Sequence, residues 1–198
     1  YRMEIKFDNN FENYTKNFSK NWKHNLNRSS RYKYKILKKN YSDPIEIFNL
    51  YSNMTKTKKI SNIYSLNEIK YLTSIMSNNF LNFEYRDMNN NLISYRSIII
   101  INDTAFDFMA ATSKYGRKIY SSYALIYEVL KYCSNNNIVT YDLSGVDKKI
   151  NAGVYNFKKG VGGNEIYKIG EWTNTKLYIL HLIFSVSIKI KFFIKSIL

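Results

Sequence analysis

Apolar and polar positions along the chain follow two alternating periods, and the switches between them mark its elements. Residues 1–7, YRMEIKF, alternate, which predicts a short strand. Residues 11–31, FENYTKNFSKNWKHNLNRSSR, place Phe11, Tyr14, Phe18, Trp22 and Leu26 three or four apart. That is the spacing of one side of a helix, and this mostly aromatic side is expected to pack into the core. YKYKILK follows as a strand. SDPIEIFNLYSNMTKTK then opens with a helix start: Ser42 or Asp43 as cap, Pro44 in the first turn and Glu46 nearby. Another helix runs from about Ser65 to Met76. Three strand-like runs come next, NFLNFEYRD, LISYRSIIII and TAFDFMAAT, joined by MNNN and ND. Links this short predict a meander of antiparallel strands. SSYALIYEVLKYCSNNN is an amphipathic helix with Ile126, Val129, Leu130 and Cys133 on one face. IVTYDL reads as a buried strand, and NEIYKIGEW, residues 164–172, as a last short one.

This order predicts a mixed α/β sheet of the α+β class, neither a repeat nor a doubly wound parallel array. The 198 residues suffice for one domain with a sizeable core. We take residues 1–174 as that domain and 175–198 as an added basic, apolar helix. The tail, KLYILHLIFSVSIKIKFFIKSIL, has no acid, and its uncharged run before Lys189 is about 12 residues, short of the ~20 that a span needs. Lys189, Lys191 and Lys195 suit a helix lying at an anionic membrane surface. Packing on this or another domain is the competing reading, and the pattern does not choose between them.

Composition narrows the class. A hydrophobic share of 45% with 17% aromatic residues excludes a disordered chain. The net charge of +15 points to an anionic partner: nucleic acid, anionic lipid or a phosphorylated substrate. Between Glu12 and Asp43 stand nine Lys or Arg and no acid, which fits a solvated face as well as an anion-binding patch. The lone Cys133 excludes an internal disulfide and a cysteine-rich metal site, and its apolar helical setting reads as structural. His24 and His181 do not have the spacing of a zinc site, and no metal is expected. No signal peptide is visible. A chain that opens on Tyr is open to being a fragment or the later half of a longer protein.

Five of the seven glycines fall within YDLSGVDKKINAGVYNFKKGVGG, residues 141–163. Glycine gathers where the backbone takes φ > 0 or must approach another group closely. The stretch is therefore a site or an elaborate loop, and composition alone leaves both open.

At these residues the chain resembles the acyl-CoA N-acyltransferase (GNAT) superfold. It is more similar still to the FemABX-type peptidyltransferases and their CelD/BioF-like acetyltransferase relatives. The resemblance is carried by NWKHNLNRSSRYKYKI, by IFNLYSNMTKTK and above all by YALIYEVLKYCSNNNIVTYDLSGVDKKINAGVYNFKKGVGG. In the last piece Asp142, Gly145, Gly153, Phe157, Lys158, Gly160, Gly162 and Gly163 stand where the family has its strand-ending Asp and Gly, its aromatic–Lys pair and further glycines. The likeness covers nearly all of residues 1–172, and its specificity rests on 121–163. It implies a GNAT-like mixed central sheet flanked by helices. Two departures matter. The FemABX enzymes carry two such domains, and this chain has room for one, similar to the C-terminal one. The pyrophosphate loop of CoA-using members is represented by ATSKYGRKIYSS, with Gly116 alone. That departure turns the expected co-substrate toward aminoacyl-tRNA, with acyl-CoA as the alternative, and no bound cofactor.

The implied reaction, acyl transfer to an amine, passes through a tetrahedral oxyanion that needs a positive group or N–H donors aimed at it. The resemblance assigns this role to Lys158. Asp142 is the second catalytic candidate, to orient or deprotonate an amine; it equally suits a turn held by its own carboxylate. Substrate-binding candidates are Arg28 and Arg31 for phosphates, with Trp22, Tyr123, Gly145 and Phe157. Trp22 and Tyr123 are equally at home in the core, and Gly145 in a turn. The expected function is transfer of an aminoacyl or acyl group to an amine of a cell-envelope precursor, a peptidoglycan-type lipid or a surface-polysaccharide sugar. The expected place is the cytoplasm, peripheral to the inner membrane face. The competing class is a non-catalytic nucleic-acid- or membrane-surface-binding module.

Overall fold

The computed structural model describes residues 1–7, 11–58, 64–75 and 80–167, with 180, 182–187 and 190 of the tail. The chain divides into two compact units, Tyr1–Tyr167 and Lys168–Leu198. In the first, seven strands form one sheet: β1 (Arg2–Lys6), β2 (Lys35–Lys39), β3 (Phe80–Arg86), β4 (Leu92–Ile101), β5 (Thr104–Thr112), β6 (Thr140–Gly145) and β7 (Asn164–Ile166). Their order across the sheet is β2-β3-β4-β5-β6-β1-β7. Every neighbouring pair is antiparallel except β5 and β6. The expected mixed sheet and its three-strand meander are thus present. Of the last expected strand, β7 spans three residues; 168–172 lie outside the described residues.

Among the described residues seven helices accompany the sheet: α1 (Phe11–Lys16), α2 (Lys20–Ser29), α3 (Pro44–Lys58), α4 (Leu66–Ile75), α5 (Lys114–Lys118), α6 (Ser121–Asn135) and α7 (Ala152–Gly160). The single helix expected over 11–31 is two. Ser19 breaks it, turning extended at φ −60°, ψ 153° and capping α2 by accepting a hydrogen bond from the Trp22 N–H. The aromatic stripe survives the break, with Tyr14, Phe18 and Trp22 buried.

Two cores lie against the sheet. One gathers Leu125, Ile126, Val129 and Leu130 of α6 with Phe83, Tyr85 and the α1–α2 stripe; Cys133 belongs to it, and burial pushes its thiol up to about 12. The other sets Ile47, Leu50 and Tyr51 of α3 against Tyr95, Met109 and Ala111. Strand β3 is buried along its whole length, so Asn82, Glu84 and Arg86, which alternate with its apolar residues, must be satisfied internally.

Helix α7 occupies the stretch expected to be loop. Its sequence, AGVYNFKKG, carries glycine at both ends and is a weak helix former. Capping and packing hold it instead. Asn151 Oδ1 accepts from the Val154 N–H at 3.1 Å. At the far end the Gly160 carbonyl accepts from the Ser19 N–H at 2.8 Å, and the Val161 carbonyl from the Tyr14 hydroxyl at 2.5 Å. Gly162 takes φ +91°, and a Cβ on Gly163 would stand 2.6 Å from the Lys158 carbonyl oxygen. These two glycines are required by the backbone. Gly145 is not: the left-handed residue of that turn is Ser144, at φ 67°, and a Cβ on Gly145 would meet only the Tyr1 carbonyl oxygen, at an ordinary 4.0 Å.

Of the second unit, Leu180, residues 182–187 and Ile190 are helical.

Candidate active site

The one parallel pair creates the site. Strands β5 and β6 pair only at Thr104–Phe106 with Thr140–Asp142. Beyond that, β5 runs on to Thr112 and β6 to Gly145 with no pairing between them. A cleft of about 540 Å³ opens where they part, with Arg96, Asp107, Tyr123, Phe157 and Lys158 in its lining. The β4–β5 register shifts between Ser97 and Ile98, whose partners are Met109 and Asp107, so Phe108 is an extra residue. This bulge lets Asp107 and Ala110, three apart, both line the cleft.

Lys158 is buried, at 8% exposure, and its Nζ donates to the Gly145 carbonyl at 2.9 Å. That bond closes the gap between α7 and the end of β6. Burial lowers the lysine pKa below its ordinary value; Asp107 opposes this and Arg96 adds to it. Beside it, Arg96 donates to Asp107 Oδ2 at 2.6 Å, and the Tyr141 hydroxyl donates to Asp107 Oδ1 at 3.2 Å. The cleft floor therefore holds two buried cations against one carboxylate. Lys58 and Arg117 add charge to the lining, and the Arg117 proximity, second to burial, depresses Lys58. A pocket so charged suits a ligand that is anionic or becomes so.

Helix α7 turns Lys159 away from Lys158: its ammonium lies 4.0 Å from Glu165, half exposed. Phe157 and Tyr123 meet edge to face at 5.0 Å and line the cleft together. Tyr123 also accepts from Asn25 of α2 at 3.1 Å. Trp22 is core: it packs on Tyr123 and Phe157 from behind and is absent from the lining. Arg28 lies 4.4 Å over the ring of Tyr120, a lining residue, whereas Arg31 is exposed on α2's far side of the cap and does not reach the cleft. Gly145 contributes its carbonyl alone.

Asp142 does not line the cleft. Its carboxylate is paired with Arg2 of β1, with Nε at 3.1 Å, and accepts from the Ser144 N–H at 2.7 Å. Its geometry is that of a turn anchor, so the carboxylate beside Lys158 is Asp107. The clue in the sequence was a pair of opposite charges, Arg96 and Asp107, inside two otherwise uncharged strands.

The loop between β5 and α6 bears on the donor. A Cβ on Gly116 would lie 2.7 Å from Ser121 Oγ and 2.9 Å from Ser94 Oγ. Gly116 is there for helix–strand packing, and the space above it is filled by side chains.

A sequence model of the FemAB family matches residues 79–186, more than half of the chain. The chain belongs to the FemAB family. The matched region contains β3 through α7 and with them Arg96, Asp107 and Lys158. A search of curated proteins finds no match. Among solved structures, FemX superposes with a TM-score of 0.68 at 12% identity, over 82% of this chain and 58% of that one. A GNAT-family acetyltransferase from Staphylococcus aureus Mu50 gives 0.57 at 17% identity, over 72% and 95%. An aminoglycoside acetyltransferase from an uncultured soil metagenomic sample gives 0.53 at 14%, over 73% and 97%. The fold of this FemAB chain is that of the GNAT acyltransferases, and the chain spans little more than half the length of FemX.

Proposed function

We propose that this FemAB chain is an acyltransferase that moves an aminoacyl or acyl group onto an amine of a cell-envelope precursor. The observation that carries the reading is the buried Lys158 ammonium in the cleft between the parted strands, next to a floor with more positive than negative charge. The acceptor amine attacks the donor's ester or thioester carbonyl, and the carbonyl oxygen takes up the negative charge. The Lys158 Nζ, now given to one neutral carbonyl, has two further N–H groups for that oxygen. Collapse of the intermediate expels the donor's hydroxyl or thiol, which takes the proton the amine gives up. Arg96 and Asp107 fix the charge around Lys158.

Aminoacyl-tRNA is the favoured donor. Packing of Gly116 against Ser94, Thr112 and Ser121 leaves no glycine-lined cradle in this loop for a CoA pyrophosphate. The basic outer side of α2, with Arg28 and with Arg31 just past its cap, suits a phosphate backbone. The amine acceptor and its envelope setting rest on family membership.

The test is Lys158→Ala, assayed for transfer from charged tRNA and from acyl-CoA to an amine-bearing precursor. We expect a loss of about 10²–10³-fold in kcat with folding and donor binding retained. Unchanged turnover would remove Lys158 from catalysis, and no transfer by the parent chain from either donor would leave a binding module. RNase treatment and CoA depletion, run in parallel, separate the two donors.

A further inference from the structure

Lys158 differs from the other lysines in what holds its proton. It is the one buried lysine among the described residues. Lys39 is tied to Glu84 at 3.0 Å, and Lys159 stands half exposed, 4.0 Å from Glu165. The Lys158 Nζ has the neutral Gly145 carbonyl, and both oxygens of the neighbouring Asp107 are already engaged, one by Arg96 and one by Tyr141. A lysine so placed gives up its proton more readily than a paired one, and burial works in the same direction. The free amine is a nucleophile toward carbonyl carbon. The oxyanion role would set this amine beside a reactive carbonyl. A nitrogen bonded at ~2.9 Å to a carbonyl oxygen lies about 3.7 Å from its carbon, close to the ~3–3.5 Å from which attack proceeds. The acceptor amine must come to that same carbon. Two nitrogens therefore compete for one acyl group, and without acceptor Lys158 has no rival.

We infer that Lys158 is a self-acylation site: in a cleft that holds donor but no acceptor, its Nζ takes the acyl group. The inference rests on the transferase reading and deepens it to the regulation of the same site. The unprotonated Nζ attacks the carbonyl carbon of the donor's ester or thioester, and a C–N bond forms. The C–O bond to the tRNA, or the C–S bond to CoA, breaks. The proton shed by the nitrogen goes to the departing hydroxyl or thiol. The product is an amide, which carries no charge and a single N–H. The cleft floor then sets Arg96 against Asp107 with no surplus charge, and the modified chain lacks the ammonium that the next oxyanion needs. Donor that outruns acceptor thereby switches the chain off.

The test is peptide mass spectrometry of the full chain after incubation, without acceptor, with acetyl-CoA, with glycyl-tRNA and with p-nitrophenyl acetate. The last is a small ester that needs no donor-binding surface. We expect at least one of them to acylate Lys158 about tenfold or more faster than the exposed Lys159. That preference should vanish when the ester meets the chain unfolded in urea. In Lys158→Arg, with a melting curve that matches the parent, acyl uptake at this position should be lost and the rest should stay at the level of the surface lysines. Modification of Lys159 ahead of Lys158 by all three donors would overturn the inference. So would a preference for Lys158 that survives in urea, because it would owe nothing to the cleft. The readout is mass and not turnover, so the two readings fail separately. A chain that transfers to an amine while Lys158 stays unmodified sinks this inference alone. A chain that acylates Lys158 and transfers to no amine sinks the transferase reading alone.

Discussion

Arg86 and Lys158, two of the three cations buried among the described residues, have different surroundings. Arg86, in the meander, is held by two carboxylates. Its Nε donates to Glu84 at 2.7 Å, its two terminal nitrogens reach both oxygens of Glu46 at 3.1 and 2.5 Å, and one also donates to the Asn90 carbonyl at 2.8 Å. These bonds, with Glu46 foremost, hold its pKa up. Lys158, at the cleft, has one carbonyl, and burial draws its pKa down. A buried charge that is fully matched belongs to the structure; one left undermatched is held ready for charge that arrives with a ligand. The sheet supplies both settings, by closing over β3 and by parting between β5 and β6.

The largest effect should come from unmatching Arg86. Glu46→Ala with Glu84→Ala leaves the arginine buried without a carboxylate, and breaking such pairing costs about 3–5 kcal/mol; urea unfolding would measure it, and a loss below 1 kcal/mol would undo the contrast. Gly163→Ala comes next. The added carbon would press on the Lys158 carbonyl, and the strain should cost about 1–3 kcal/mol and lower transfer activity together. Asp142→Asn weakens the tie to Arg2, which is partly exposed, so about 1 kcal/mol of stability should go while transfer falls less than about tenfold; a larger fall in turnover would return Asp142 to the reaction. The smallest effect has the opposite sign. Lys158→Met should raise stability at neutral pH by about 1 kcal/mol, because the folded state no longer shelters a charge at a cost. The sign follows from linkage: the unfolded lysine binds its proton more readily than the buried one. Stability of the parent therefore rises with pH, from the lowered value up to the ordinary 10.5. The Lys158→Met gain should fade across that window in pH-dependent melting. Turnover of the parent should show its alkaline loss below 10.5 for the same reason.

Much of the architecture could be read from periodicity. The runs LISYRSIIII and TAFDFMAAT are long, apolar and joined by two residues, which leaves an antiparallel hairpin as the simple solution. The break at Ser19 was not legible, because the aromatic stripe continues through it at helical spacing and only the cap bond with Trp22 reveals it. Helix α7 was hidden for another reason: glycines at 153 and 160 argue against a helix locally, while Ser19, Tyr14 and Trp22, far off in sequence, supply what holds it. The site was legible in part. Lys158 was found through its neighbours in a family pattern, whereas Asp107 was missed because a bulge, which no alternation announces, decides which face it meets. Asp142 sat at the right strand end, yet its fate depended on Arg2, a residue 140 positions away.

The C-terminal end of α7 is fastened to the first two helices by Ser19 and Tyr14, at the base of the segment richest in positive charge. On the proposed reading, a donor that gripped that segment would also pull on the rod that carries Lys158. Seating of a donor on the outside would then be felt as a small change in the angle of the ammonium within, so that capture and chemistry share a lever.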